Sequence, residues 1–132
     1  MNAVRVLVVV ENDPDFRRLI RIALSEDPRI EISGEAENAE EALQRVRDAG
    51  PGLIILDHFL AEGDRGLDAA PRLKEIAPSA RILLLSADDL SAEARREPAV
   101  DAFLRKIDIV ALLPTAQRLL GLDSDGGIGR AG

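Results

Sequence analysis

The sequence predicts an α/β domain built around a parallel five-stranded sheet. Three apolar runs, Val6 to Val10, Leu53 to Leu56 and Ile82 to Leu85, each stop at a polar residue: Glu11, Asp57 and Ser86. Short aliphatic runs of this kind suit strands buried on both faces. Segments with apolar residues at helical spacing separate them, so strands and helices alternate in units of roughly 25 residues. Such alternation requires parallel pairing through right-handed crossovers.

The elements follow in order. Val4 to Val10 is the first strand. Asp13-Pro14 predicts an N-cap followed by proline at the first helical position. Phe16, Leu19, Ile20, Ala23 and Leu24 are then expected to form one buried stripe, and Pro28 to close the element. Ile30 to Ala36 alternates as a half-exposed strand near a sheet edge. Asn38 with Glu41 reads as a capping box for a helix that buries Ala39, Leu43 and Val46. Gly50-Pro51-Gly52 breaks it before the third strand, Leu53 to Asp57. A polar loop from His58 to Gly66 leads to a helix carrying Leu67, Ala70, Leu73 and Ala77, with Pro71 expected in its first turn or at a kink. Pro78 ends that helix, and Ala80 to Ser86 is the fourth strand. Ser91 is the expected cap of a short helix ending before Pro98. Asp101 to Arg105 is the fifth strand. Asp108 is the expected cap of the last helix, with Pro114 requiring a kink or a later start. Residues 1–121 make the domain, and residues 122–132 read as a flexible Gly-rich tail or a truncated linker.

At 132 residues and 46% hydrophobic, the chain is large enough for one core without disulfides or metal. The absence of cysteine excludes a disulfide framework, a thiolate zinc site and a thiol nucleophile. A net charge of −7 disfavours direct nucleic-acid binding. Val6 to Val10 is too short for a signal h-region or a membrane span, so a cytoplasmic protein without membrane partners is expected.

In an open parallel sheet the C-terminal strand ends face the ligand. That edge would gather Glu11, Asn12, Asp57, Ser86 and Lys106: two carboxylates, an amide, a hydroxyl and an ammonium. A carboxylate can accept a phosphoryl group as an acyl phosphate, a reaction that depends mainly on positioning and charge neutralisation. A divalent cation on oxygen ligands, a lysine and a hydroxyl are suited to the phosphoryl oxygens.

The ordered set Glu11-Asn12, Asp57, Ser86-Ala87 and Lys106, with Phe103 three positions before the lysine, resembles the receiver domain of two-component response regulators. The resemblance covers roughly residues 4–121. It implies a flavodoxin-like doubly wound sheet of order 2-1-3-4-5. It also implies that Asp57 is the phosphoacceptor, with Ser86, Ala87 and Lys106 binding the phosphoryl group. Mg2+ would be held by Glu11, Asn12, Asp57 and the backbone carbonyl of Phe59, with Phe103 as the switch aromatic. The implied donor is a histidine kinase or histidine phosphotransfer protein. The implied output is a downstream protein target, an output domain or a homodimer, engaged through the fourth helix, fifth strand and last helix.

The chain departs from the family pattern at Asn12, where a second acid is usual. A charge pair at 4 Å is worth about 4 kcal/mol at an effective dielectric of 20. Losing a third of that costs about tenfold in affinity, so weak Mg2+ binding and slow phosphorylation are expected. Asp13 is read as a helix cap rather than a replacement acid. Arg17, Arg18 and Arg21 read as a solvated helix face that is also open to kinase contact. Ala61 and Ile107 stand where proline is frequent, and Gly66 comes one residue late.

A pseudo-receiver, a phosphorylation-independent interaction or dimerisation module, is the alternative that Asn12 supports. A haloacid-dehalogenase-type phosphatase is disfavoured because Phe59 occupies the second position of its Asp-x-Asp motif, and a Toprim nuclease is disfavoured by the same absence. A flavin binder would need a phosphate loop and ring stackers that are missing. His58, a single loop histidine, is not expected to ligate metal or carry phosphate.

Overall fold

The computed structural model describes residues 5–122, with backbone alone for 5–7. Val4 and the tail segment 123–132 of the sequence reading lie outside the described residues. Five strands, β1 (Arg5–Val10), β2 (Ile30–Ala36), β3 (Leu53–Asp57), β4 (Arg81–Ser86) and β5 (Ala102–Arg105), alternate with five helices. These are α1 (Pro14–Leu24), α2 (Ala39–Ala49), α3 (Gly66–Ile76), α4 (Ser91–Arg95) and α5 (Leu112–Leu119). All strand pairs are parallel, in the order β2-β1-β3-β4-β5.

The twofold repeat of a strand divides each apolar run between two cores. Val8, Val10, Ile54, Leu56, Ile82 and Leu84 face α2 and α3. Val9, Leu53, Ile55, Leu83 and Leu85 face α1 and α5. Burial on both faces is why these strands read as unbroken aliphatic runs. β2, at the sheet edge, alternates in exposure along Ile30 to Gly34.

Side chains set several helix starts as expected. Asp13 Oδ1 accepts the Asp15 N–H at 3.0 Å, ahead of Pro14 at the first helical position. Asn38 Oδ1 accepts the Glu41 N–H at 2.8 Å. Glu41 returns its Oε1 to the N–H of Glu37, one residue before the cap, so the capping box is displaced by one donor. Gly50 closes α2 at φ 55, a left-handed position that glycine adopts without penalty.

Several expectations are corrected. Leu19, expected in the buried stripe of α1, is 48% exposed. α1 stops at Leu24, well before Pro28, where the Ser25 N–H and Oγ both turn back onto helix carbonyls. Of the two places expected for Pro71, the first turn is excluded: it is the sixth residue of α3, on the exposed side. Ser91 is the first residue of α4 rather than its cap, and its N–H donates to Asp89 Oδ1 at 3.0 Å. Asp108 caps nothing: Lys106–Ala111 forms a 3-10 segment, and α5 starts only at Leu112, which puts Pro114 in its first turn. Leu122, one residue past the expected domain end, is buried against the α1–α5 core. Among the described residues no helix is long and apolar enough to cross a membrane.

Candidate functional site

β1, β3 and β4 set the polar residues in line. Val10 pairs with Leu56, so Glu11 and Asp57 lie one step further on neighbouring strands. Asp57 pairs with Leu85, and Ser86 with Arg105, which brings Ser86 and Lys106 to the same edge. Glu11, Asp57 and Ser86 are buried, at 1%, 3% and 0% exposure, and Asn12 is exposed.

Lys106 ties the two acids together. Its Nζ lies 3.0 Å from Glu11 Oε1 and 3.3 Å from Asp57 Oδ2, and 4.4 Å above the centre of the Phe16 ring. The ring face gives the ammonium a favourable apolar seat. Glu11 Oε1 is within ion-pair range yet accepts no aligned hydrogen bond, whereas Oε2 accepts the Asp13 N–H at 3.0 Å. Burial, followed by the Glu11 charge, pushes the Asp57 carboxyl up to about 7, and Lys106 pulls the other way. Ser86 Oγ accepts the Asp88 N–H at 3.1 Å, which leaves its own O–H to donate.

The start of α3 presses on the back of Asp57. The Gly66 N–H donates to the His58 carbonyl at 2.7 Å. A Cβ on Gly66 would sit 2.5 Å from the Asp57 carbonyl oxygen and 2.9 Å from Leu84 Cδ1, so only glycine fits there. His58 is buried, and its Nδ1 accepts the Leu67 N–H at 3.3 Å. Burial, then the Arg65 charge, holds its pKa below the ordinary histidine value. It therefore works as a neutral acceptor for the first turn of α3.

The remaining residues are more peripheral. Ala87 is exposed beside Ser86. Phe59 is half-exposed, edge-on to His58 with ring centres 4.8 Å apart, and bridges to Arg65 in the β3–α3 loop. Phe103 is partly buried on the α2–α3 side of β5, opposite Leu84. Asp13 serves as the α1 cap.

Arg17 departs from the solvated face expected of it. Its Nη1 donates to the Glu11 carbonyl at 2.6 Å and its Nε pairs with Glu35 at 3.0 Å. Helical spacing set Arg17 off the apolar stripe, and nothing in the sequence signalled that it turns back six residues. The roles of Phe16 and His58 were also missed, because a ring under an ammonium and an acceptor for a helix amide have no local pattern.

The donor set suits a hard divalent cation in kind: carboxylate oxygens of Glu11 and Asp57, with the buried Glu11 Oε1 lacking an aligned donor. It is one charge poorer than a three-acid site. Among the described residues no group of three or more His, Cys, Asp or Glu is arranged to hold a metal ion.

Comparison with known proteins agrees with this geometry. The family model described as "Response regulator receiver domain" matches residues 7–114. A protein-glutamate methylesterase/protein-glutamine glutaminase of Syntrophus aciditrophicus is 34% identical over 110 residues, covering 80% of this chain and 31% of that protein. The chemotaxis protein CheY of Thermotoga maritima is 31% identical over 83 residues, covering 63% of this chain and 67% of that protein. This chain spans 24% to 31% of the length of the methylesterases it matches. A two-component response regulator of the LuxR family from Aurantimonas sp. SI85-9A1 shares the fold, with a TM-score of 0.82 at 24% identity over 90% of this chain and 86% of that one. With the family model spanning most of its length and the sheet order and polar strand ends in agreement, this chain belongs to the response regulator receiver domain family.

Proposed function

We propose that the domain accepts a phosphoryl group on Asp57 from a phosphohistidine of a histidine kinase or phosphotransfer protein. The observation that carries this reading is the pairing of one ammonium, Lys106, with two buried carboxylates at the strand ends. An Asp57 carboxylate oxygen forms the new O–P bond, the P–N bond to the donor imidazole breaks, and its electron pair stays on the imidazole nitrogen. Lys106 neutralises charge on the phosphoryl oxygens, and the Ser86 hydroxyl donates to another.

Glu11, the Asn12 side-chain oxygen, Asp57 and the Phe59 backbone carbonyl would hold Mg2+. The cation would supply charge neutralisation between carboxylate and phosphoryl oxygens. With an amide at position 12, we expect weak cation binding and slow transfer. Movement of Ser86 toward the phosphoryl group, with Phe103 changing its burial, would alter the α4–β5–α5 surface that meets an output domain, a target protein or a second copy.

Incubation with acetyl phosphate or phosphoramidate and Mg2+, followed by intact mass, tests this reading. Wild type should gain one phosphoryl group and Asp57→Asn none. The pseudo-receiver reading draws support from Asn12, which leaves the strand ends one acid short of the family pattern. Absence of an adduct with small donors and with a cognate kinase would favour it.

A further inference from the structure

Arg17 is the fourth residue of α1, yet its side chain runs back to the sheet edge and is only 17% exposed. Its guanidinium touches three places. Nη1 donates to the Glu11 carbonyl at 2.6 Å, Nε pairs with Glu35 Oε1 at 3.0 Å, and Nη1 lies 3.5 Å from Glu37 Oε2. Glu35 is held in turn by Arg21 at 2.5 Å. The Glu11 N–H donates to the Ala36 carbonyl at 2.9 Å, so the main chain of Glu11 is fastened on both sides. Its Oε2 accepts the Asp13 N–H and closes the turn around the side chain.

We propose that Arg17 is a positioning residue for the cation site: by holding the Glu11 carbonyl, it fixes the backbone from which the Glu11 carboxylate and the Asn12 amide reach a divalent cation. This rests on the reading of Glu11 and Asn12 as cation ligands beside Asp57. Glu35 and Glu37 already balance the charge of Arg17, so its contribution is geometric. Ligands held in place in advance lose less freedom on binding, so a fixed Glu11–Asn12 backbone favours the cation. Planar, fixed donor directions let arginine serve a carbonyl and a carboxylate together, which a lysine ammonium of equal charge does not reproduce.

Arg17→Lys tests this with charge conserved. In metal-free protein, the Asp13 amide, followed by NMR hydrogen exchange, should exchange about tenfold faster. The Leu84 amide in the central sheet should keep its wild-type rate. Calorimetric titration should show Mg2+ binding weakened by about tenfold, the usual cost of losing a partner that orients a ligand. Arg81→Lys, at an ion pair with Asp101 at the start of β4, should change neither reading. An unchanged Asp13 rate, a rate raised equally at Asp13 and Leu84, unchanged Mg2+ affinity, or a wild type that binds no Mg2+ would overturn the assignment. Phosphoryl transfer to wild type with no Arg17→Lys effect overturns this inference and leaves the proposed function standing. Failure of transfer to wild type counts against that function, while the Mg2+ and exchange shifts still decide the role of Arg17.

Discussion

Lys106 Nζ lies 3.0 Å from Oε1 of Glu11, a buried carboxylate oxygen with no aligned hydrogen bond. The same ammonium reaches Asp57 at 3.3 Å, so two acids share one cation. Removing it leaves two buried acids facing each other, and Asp57, already raised to about 7, then takes up a proton. Lys106→Met should lower unfolding free energy by about 2 kcal/mol, less than for a fully enclosed pair because the lysine is partly exposed. Asp57→Asn in that background should restore most of the loss, since only one acid then remains. Urea unfolding of the four proteins of this cycle, in EDTA, checks both steps. A loss that Asp57→Asn leaves untouched would mean that the lysine acts through its packing on Phe16.

On the proposed function, the residue at position 12 should set the cation affinity. Asn12→Asp adds a charged oxygen ligand and should tighten Mg2+ binding by about tenfold or more. Calorimetric titration of the two proteins under matched ionic strength measures it. Equal affinities would show that the side chain at position 12 does not reach the cation.

Gly66→Ala should be costly although the change is a single methyl. The new Cβ would meet backbone at 2.5 Å, and backbone cannot rotate away as a side chain can. A loss of about 1–3 kcal/mol is expected. Because the clash falls on the Asp57 carbonyl, phosphoryl transfer should slow as well. Thermal unfolding and adduct formation over time, compared with Gly63→Ala in the loop that precedes α3, separate the local effect from loop strain.

Asp27 contributes a pH dependence on the acid side. It is buried between the α1–β2 connection and α5, where Arg29 holds it bidentately and Gln117 donates at 2.9 Å. The Arg29 hydrogen bonds hold its carboxyl well below the usual carboxylate range, against the opposing effect of burial. A depressed folded pKa means that the unfolded chain takes up a proton first. The stabilisation is therefore complete above the unfolded value near 3.9 and is lost as pH falls below it. Asp27→Asn should cost about 1–3 kcal/mol at pH 7. The gap from wild type should persist down to about pH 4 and narrow at lower pH. A gap that stays constant between pH 5 and pH 2 would contradict the ion-pair account.

The strand ends were legible because strands buried on both faces must be apolar throughout, so Glu11, Asp57 and Ser86 stood out where burial stops. Asn38 was legible because its cap lies within three residues of its partner. Asp108 and Ser91 misled for the opposite reason. Each is a short polar residue before a helical pattern, but the chain beyond Lys106 tightens into a 3-10 segment, and Asp89 takes the Ser91 amide. Arg17 and His58 act over distances in space, or on amides of another element, and no spacing rule reports that. Helix periodicity marks Arg17 as polar but gives no sign of where a long side chain turns.

On the proposed function, Asp57 carries the phosphoryl group. Borohydride reduction converts an aspartyl phosphate to homoserine, and peptide mass mapping then locates it. After phosphodonor treatment with Mg2+, homoserine should appear at position 57 alone and be absent from untreated protein. Homoserine at another acid, or none in a sample that has gained phosphoryl mass, would contradict the account.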